Sequence, residues 1–336
     1  MILIFSISND YTTTQVCRWI EKLGHDFIRI NKDDSCEIEK FDLINDDIII
    51  KINKDTLLSY KDISAVWYRR GGFIHNFRTE KNIDDKEILF QEGNRINRLI
   101  NDEFRDLALF LQKKFEKNNS IGSYFNSKLN KLMVLDFAKS IGLYIPHTFI
   151  LAKKLQLKEL VDNHKIITKA ISDGLYYFAE DYAYYTYTEK ISAKELPRFP
   201  DMFMPSLFQI QIEKKFEIRS FFLKGKFYSM AIMSQFNDKT MVDYRKYDQK
   251  NPNKNIPFKL PTDIQNKLIQ IFNHFKLNTG SVDLIVDIHD NYYFLEINPV
   301  GQFGMTSRPC NYGLEKIMAE ELIKIDIQNE SNIKAN

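Results

Sequence analysis

The stretch SVDLIVDIHDNYYFLEIN, Ser281 to Asn298, predicts two β-strands joined by the turn IHDN. Both runs are rich in β-branched and aromatic residues, yet the first carries Asp283 and the second carries Glu296 and Asn298. Because residues two apart point to the same face of a strand, Glu296 and Asn298 project together, and pairing about the turn puts Asp283 roughly opposite them. Such an oxygen-only set suits Mg²⁺ that carries nucleotide phosphates, whereas the alternative interpretation is a solvated strand face.

Four cationic side chains lie at the starts of predicted elements or inside them. Lys131 begins a helix, Lys169 stands in the strand IITKAI, Arg219 follows Glu217 in FEIRSFF, and Arg245 lies in VDYRKYD. Taken singly, each is expected to be a surface charge or half of a structural ion pair. Together with an oxygen-only metal site, they are the set that a triphosphate requires.

Two short segments have equally open interpretations. The loop ISDG after Lys169 contains Ser172 and Gly174, and it either offers backbone amides to phosphate oxygens or simply turns a hairpin. The stretch WYRRGG contains Arg69 and Arg70, which either bind an acidic or aromatic group or close a strand. Both arginines are therefore candidate substrate contacts.

Composition limits the classes of function. The chain has 336 residues, 44% of them hydrophobic and 27% charged, which favours two domains with a sizeable core. A net charge of +2 argues against a broad basic face for nucleic acid. Three cysteines without metal or disulfide spacing indicate a reducing cytoplasm. The sequence contains neither a signal peptide nor an apolar run of the roughly 18 residues that a membrane span needs, so we expect a cytoplasmic protein.

The order of predicted elements is α+β, with a small α/β domain first. That domain contains the strands MILIFSI, HDFIRIN, DDIIIKIN and ISAVWYRRGG, the helix TTTQVCRWIEKLG, and a linking helix over 86–117. The polar segment KNNSIGSYFN is the strongest boundary signal. The sequence predicts domains at 1–118 and 119–325, followed by a disordered tail at 326–336.

Read in order, NKL, LYIPHT, IITKA, FQIQIEKKFEIRSFFLKGKF, VDYR, GSVDLIVD and FLEINPVGQFG form a pattern that covers about residues 125–322. This pattern resembles the ATP-grasp carboxylate–amine ligases, and most closely the maturases of graspetides, which include the microviridin ligases and the grasp-with-spasm type. VWYRR in the N-terminal domain is also similar to the maturases. The resemblance implies an ATP-grasp fold with an N-terminal α/β pre-ATP-grasp domain.

The resemblance also implies a role for each matching residue. Lys131 and Lys169 would bind the nucleotide, with Ser172 and Gly174 in the phosphate loop, Gln209, Gln211 and Ile212 in the hinge beside adenine, and Glu217 on the ribose hydroxyls. Arg219 and Arg245 would face the γ-phosphate and the developing acyl phosphate, and Asp283, Glu296 and Asn298 would hold one or two Mg²⁺ ions. The phosphate loop is poorer in glycine than in many members, and the hinge lacks their acidic residue.

The activity implied by the resemblance is ATP-dependent ligation within a peptide. Side-chain carboxylates of Asp or Glu in a ribosomally made precursor peptide would be activated as acyl phosphates and joined to Ser or Thr hydroxyls, or to Lys amines, to form macrocycles. The partner would be that peptide with its leader segment, and a homodimer is allowed. Two alternatives stay open: a ligase that adds a free amino acid to a protein or metabolite carboxylate, and a non-catalytic nucleotide-binding regulatory module.

Overall fold

The computed structural model describes residues 1–77, 90–117, 120–172, 174, 176–178, 183–235, 243, 246 and 252–335. Its described residues form seven α-helices: α1 (Tyr11–Lys22), α2 (Phe90–Glu116), α3 (Lys131–Ser140), α4 (Lys154–Asn163), α5 (Thr262–His274), α6 (Gly304–Ser307) and α7 (Leu314–Ala335). They also form eighteen strands: β1 (Ile2–Ser6), β2 (Phe27–Asn31), β3 (Cys36–Asp42), β4 (Asp47–Ile52), β5 (Thr56–Ser59), β6 (Ala65–Tyr68), β7 (Ser120–Ile121), β8 (Thr148–Lys153), β9 (Ile166–Lys169), β10 (Tyr176–Phe178), β11 (Ala183–Tyr185), β12 (Glu189–Ile191), β13 (Met202–Ile210), β14 (Lys214–Leu223), β15 (Lys226–Met233), β16 (Lys254–Phe258), β17 (Thr279–Asp287) and β18 (Tyr292–Asn298). The chain divides into two compact units, one made of 1–127 with 313–336 and the other of 128–312.

The first unit contains a parallel sheet in the order β2-β1-β6-β7 and a small antiparallel sheet in the order β3-β4-β5. Strand β1 is buried along its whole length, as expected for a central parallel strand. Helix α1 begins where the Asp10 side chain accepts a hydrogen bond from the amide of Thr13 at 3.0 Å. Val16 and Ile20, four residues apart on one face of α1, are completely buried.

Helix α7 completes the first unit by packing against α1 and β6. It continues to Ala335, through most of the segment predicted as a disordered tail, and it lies in this unit rather than with the predicted second domain. The reason is burial and hydrogen bonding: the buried Asp326 accepts a hydrogen bond from the hydroxyl of Ser64, and Asn329 donates to the Ser64 carbonyl at 2.9 Å. A segment with such contacts has a favourable energy that offsets its ordering entropy.

The second unit contains a four-stranded sheet, β12-β9-β13-β8, and a five-stranded antiparallel sheet, β16-β15-β14-β17-β18. One face of the larger sheet is a hydrophobic core. Ile218 and Phe222 of β14 and Leu284 of β17 join Leu268 and Phe272 of α5 there, together with residues of α3. Residues of the opposite parity in β14 and β17, such as Arg219 and Asp283, therefore point to the other face. In β18 a register shift after Phe294 brings Glu296 opposite Asp283 and so to that same face, although Phe294, two residues earlier, lies in the core.

Most of the expected elements are present. The turn IHDN joins β17 to β18, and the helices around 131–140 and 262–274 begin and end close to the expected residues. Strands β3 and β5 and helix α4 were not predicted. The run FEIRSFFLKGKFYSMAI (216–232), predicted as a single strand, forms two strands, because Lys224 and Gly225 have positive φ and turn a hairpin between β14 and β15. No helix among the described residues is long and apolar enough to cross a membrane.

Candidate active site

A row of charged side chains crosses three adjacent strands of the larger sheet. In the strand register, Arg219 of β14 lies opposite Asp283 of β17, and Asp283 lies opposite Glu296 of β18. The Arg219 Nη1 atom donates to both carboxylate oxygens of Asp283, at 2.9 and 2.6 Å. Directly opposite residues in an antiparallel sheet share a face, so this row places one cation beside two neighbouring carboxylates.

Asn298, the third predicted metal ligand, lies two residues further along β18 on the same face as Glu296. Asn298 pairs with Ser281, two residues from Asp283, and its Oδ1 accepts a hydrogen bond from the amide of Val300 at 3.1 Å. This bond orients the side-chain amide at the point where the strand ends. The register places Asp283, Glu296 and Asn298 on one face, as the period-two argument predicted.

Lys131, at the start of α3, connects two parts of this unit. Its Nζ atom lies 3.1 Å from the Glu296 Oε2 atom and donates to the Ala170 carbonyl at 3.0 Å. Ala170 directly follows β9 and precedes the predicted phosphate loop. The ammonium group therefore sits between that loop and the carboxylate row, where it can balance the charge of an anion bound between them.

Glu217, two residues before Arg219, belongs to a buried polar group beside the row. Its carboxylate forms an ion pair with the ammonium group of Lys214, and Oε1 accepts a hydrogen bond from Ser234 at 2.7 Å. Burial raises the pKa of Glu217 above its ordinary value, although Lys214 and Ser234 act in the opposite direction. The ribose role expected for Glu217 stays a prediction, and a bound nucleotide would have to share a carboxylate that already has two partners.

The predicted hinge contains one enclosed side chain and two that are half-buried. Gln209 is fully buried within β13, where its Nε2 atom donates to the Thr148 hydroxyl at 2.8 Å. Its Oε1 atom has no hydrogen-bond partner among the residues that the structure describes. Gln211 and Ile212 follow the strand, and the Gln211 amide donates to the Lys165 carbonyl at 2.8 Å. Contact with adenine thus falls more naturally to Gln211 and Ile212 than to the side chain of Gln209.

The remaining predicted nucleotide residues are only partly described. Lys169 ends β9 and is half-buried, Ser172 is exposed, and Gly174 is half-buried, whereas residues 173 and 175 lie outside the described part of the chain. The amide cradle of this loop stays a prediction. Arg245, expected to face the transferring phosphoryl group, also lies outside the described residues.

The donor atoms suit a hard divalent cation that is shared with phosphates. Asp283 and Glu296 supply carboxylate oxygens and Asn298 supplies an amide oxygen, which are ligands of the Mg²⁺ type. Among the described residues no three His, Cys, Asp or Glu side chains cluster closely enough to hold a metal ion by themselves. Mg²⁺ usually takes one or two carboxylates and completes its shell with substrate phosphates and water, and the metal role of Asp283, Glu296 and Asn298 stays a prediction.

The two candidate substrate arginines of the first unit differ in their surroundings. Arg69 is 3% exposed, and its Nε atom donates to Asp10 at 3.2 Å. The side chain of Arg70 is 36% exposed. Arg69 is thus engaged in a buried ion pair, which leaves Arg70 as the arginine that a ligand can reach.

Sequence reasoning missed Lys214 and Ser234 as partners of Glu217. Lys214 lies three residues before Glu217, a spacing that carries no special meaning in an extended segment, because side chains three apart point to opposite faces of a regular strand. The register between β14 and β17 is irregular just after Lys214, and this irregularity accompanies the contact. No pattern in the sequence indicates that the chain returns along β15 to place Ser234 there.

Comparison with known proteins identifies the fold. Residues 1–111 match the family model of the MvdD pre-ATP grasp domain. The macrocyclase MdnC of Microcystis aeruginosa MRC, crystallised with the precursor peptide MdnA, superposes with a TM-score of 0.75 at 24% identity over 96% of this chain and 99% of its own. This chain has the ATP-grasp fold.

Two further solved structures are similar to this chain over nearly its whole length. A RiPP-associated ATP-grasp ligase of Chryseobacterium gregarium, in complex with ADP and a leader and core peptide, has a TM-score of 0.76 at 24% identity over 98% of this chain and 96% of its own. The ligase PsnB, in complex with a minimal precursor, Mg and ADP, has a TM-score of 0.70 at 14% identity over 97% of each chain. No curated protein sequence matches the ATP-grasp chain. The expected α+β class, ATP-grasp fold and resemblance are confirmed.

Proposed function

We propose that this chain is an ATP-dependent ligase that closes macrocycles in a ribosomally made precursor peptide. It would activate Asp or Glu side chains of the peptide as acyl phosphates and join them to Ser or Thr hydroxyls as esters, or to Lys amines as amides. The observation that carries the proposal is the row Arg219–Asp283–Glu296, with Lys131 beside it, on the face of the sheet opposite the core.

This row can serve phosphoryl transfer because its two neighbouring carboxylates are flanked by two cations. In the structure, Arg219 and Lys131 neutralise Asp283 and Glu296. With a metal bound to these carboxylates, the same two cations would be available to phosphate oxygens. Arg219 is mostly enclosed, so its interaction with an anion is weakly screened by solvent.

Asp283, Glu296 and Asn298 would hold one or two Mg²⁺ ions. Bound Mg²⁺ would neutralise charge on the transferring phosphoryl group and orient the nucleotide. Arg219 would stabilise charge on the same group, and Lys131 would keep the loop after β9 close to the phosphates. Because these residues act by position and charge, the reaction does not depend on a strong general base.

The chemistry of the two steps balances without any further reactant. The carboxylate attacks the γ-phosphorus of ATP, giving an acyl phosphate and ADP. The hydroxyl or amine then attacks the acyl carbon, releasing phosphate and one proton. Each bond therefore removes the mass of one water from the peptide and consumes one ATP.

The peptide as substrate is supported by the similar structures. The Microcystis macrocyclase was crystallised with its precursor peptide, and the Chryseobacterium ligase was crystallised with ADP, a leader and a core peptide. Both cover nearly the whole of this chain, including the N-terminal unit. We therefore assign the peptide, including a leader segment, as the partner of this chain, ATP as its co-substrate and Mg²⁺ as its metal.

The test is the intact mass of a candidate precursor peptide, encoded beside this chain and carrying Thr with Asp or Glu, after incubation with enzyme, ATP and Mg²⁺. We expect a loss of one water per bond with one ADP released for each. The Asp283→Asn variant is the matched control and should leave the peptide mass unchanged.

The other outcomes of this test separate the alternatives. If the peptide gained the mass of one amino-acid residue in the presence of free amino acids, the activity would be the addition of an amino acid and not macrocycle formation. ATP binding without ADP release or any mass change, over a panel of such peptides, would contradict ligase activity and favour a regulatory module.

A further inference from the structure

The carboxyl edge of the parallel sheet in the first unit has the layout of a ligand site. Strand β1 pairs with β2 on one side and with β6 on the other, and all three run parallel. The segments that follow β1 and β6 (7–10 and 69–72) thus leave the sheet next to each other, at the point where the strand order reverses. In open α/β sheets, ligands bind in the crevice at such a switch point.

Of the two adjacent arginines that follow β6, Arg70 has the weaker ion pair with Asp10. The amides of Arg69 and Arg70 both donate to the Phe5 carbonyl, at 3.0 and 3.1 Å, but their side chains have different surroundings. Arg69 is held by Asp10, whereas the Nε atom of Arg70 lies 3.8 Å from Asp10 Oδ2, which is beyond hydrogen-bonding distance. In the part of the chain that the structure describes, this Nε atom is buried without a hydrogen-bond partner. A donor in that position is expected to gain from an acceptor that joins it.

The backbone that presents Arg70 is held in a conformation that only glycine adopts easily. Gly71 has φ +72°, and a Cβ atom there would lie 2.7 Å from the Ser6 carbonyl oxygen. Gly72 has φ +110°, and a Cβ atom there would lie 2.9 Å from Gln112 Oε1. The loop after β6 is consequently packed tightly against the edge of the sheet, so the position of Arg70 is set by the fold.

The charges around Arg70 favour an anion. Asp10 is shared by two guanidinium groups, and despite its burial the pKa of Asp10 is lowered by Arg69, the Thr13 amide and Arg70, so the group is one carboxylate between two cations. Across the crevice, the guanidinium of Arg29 donates to the Ile7 carbonyl and to the Asn31 side chain. Two acidic side chains lie on that side: Asp33 accepts a hydrogen bond from Ser8 at 2.6 Å, and Asp34 accepts one from the amide of Asn31 at 2.7 Å.

We propose that Arg70 binds a carboxylate of the peptide substrate in this crevice, as a specificity-determining contact of the N-terminal unit. The proposal rests on the proposed function for its choice of a peptide. A planar guanidinium that can donate two parallel hydrogen bonds matches a carboxylate better than it matches a neutral amide. The carboxylate belongs either to an acidic side chain or to the peptide C-terminus, which share this chemistry.

The first experiment does not depend on ligase activity. The full-length protein is labelled with ¹⁵N-arginine, and the Nε–H resonance of Arg70 is assigned by its loss in the Arg70→Lys variant. We expect this resonance to shift saturably with glutarate but not with glutaramide, at an ionic strength matched with sodium chloride. The carboxylate site would be overturned if the Arg70 resonance did not shift with glutarate, or if sodium chloride shifted it by the same amount.

The second experiment measures peptide turnover by wild-type protein and two variants. We expect Arg70→Gln to raise the KM for the precursor peptide about tenfold with kcat nearly unchanged, because a binding contact is lost equally in the ground and transition states. Arg70→Lys should restore part of the KM, and Arg18→Gln, an exposed arginine on α1, should behave as wild type. An unchanged KM in Arg70→Gln would refute the proposal.

The source of the carboxylate is distinguished with the same variants. If amidation of the peptide C-terminus raises the KM of wild-type protein as much as Arg70→Gln does, the C-terminus is the ligand. If Asp→Asn or Glu→Gln substitutions in the peptide raise the KM to that extent, an acidic side chain is the ligand. A wild-type protein that processes no peptide would refute the proposed function, while the resonance experiment would still decide whether Arg70 binds carboxylates.

Discussion

Asp283 and Glu296 are expected to be equally necessary for turnover but unequal in their effect on stability. Both belong to the carboxylate set, so Asp283→Ala and Glu296→Ala should each abolish ADP release in the presence of peptide. The two carboxylates differ in burial. The side chain of Asp283 is 13% exposed and pairs with Arg219, which is 7% exposed, whereas Glu296 is 34% exposed and pairs with Lys131.

The size of the difference follows from what each substitution leaves behind. Removing Asp283 leaves an enclosed guanidinium that has lost two hydrogen bonds, which costs about 3 kcal/mol for a buried pair. Removing Glu296 leaves an ammonium group that still donates to the Ala170 carbonyl, for a cost of about 0.5 kcal/mol. In a unit of this size, the first change lowers Tm by about 6–12 °C and the second by about 1–2 °C.

The assay combines urea unfolding at pH 7 with thermal melting of the two alanine variants and of Asp283→Asn. The asparagine variant retains the shape of the side chain and one acceptor, so it should recover part of the stability without recovering turnover. Its inclusion separates the loss of charge from the cavity that alanine creates.

The reasoning would be refuted by either of two results. Equal stability of Asp283→Ala and Glu296→Ala would mean that the Arg219–Asp283 pair contributes no more than an exposed pair. Turnover at the wild-type rate in either alanine variant would remove that carboxylate from the metal set.

Three further predictions concern other contacts. Lys131→Ala should weaken the binding of a non-hydrolysable ATP analogue roughly tenfold by calorimetry, while Lys139→Ala, exposed on the same helix, should not; equal affinities would exclude a nucleotide role for Lys131. Asp10→Asn keeps the helix cap but loses the charge, so it should destabilise the protein by about 3 kcal/mol at pH 7. Folding lowers the pKa of Asp10 from 3.8, so the difference in unfolding free energy between wild type and variant should be complete well above that value and should shrink as the pH falls through the folded pKa. A difference that does not change with pH in urea titrations would contradict this prediction. Gly71→Ala should lower Tm more than Gly24→Ala, since both have positive φ but only the first places Cβ 2.7 Å from a carbonyl oxygen; equal losses would argue against the close approach.

Local patterns predicted much of the second unit. The hairpin β17–β18 follows from two β-rich runs of suitable length around a polar turn, and period-two alternation puts Glu296 and Asn298 on one face. Helices α3 and α5 follow from apolar spacing and from boundary residues such as Gly142. Strand β3 was missed because Glu37, Glu39 and Lys40 make the segment strongly charged and most of it is exposed, as in a solvated loop, although pairing with β4 makes it a strand.

By itself, the sequence determined which residues could supply oxygens and cations and which neighbours share a face, because these properties depend on side-chain chemistry and on the period of a strand. Only the tertiary structure decided which of them meet. Arg219 reaches Asp283 through the pairing of strands more than sixty residues apart, and Lys131 reaches Glu296 from a helix in another part of the unit. The same long-range packing enclosed Arg69 and left Arg70 half-buried, although the two are adjacent in sequence. Burial and non-local pairing depend on the whole chain, so no short pattern specifies them.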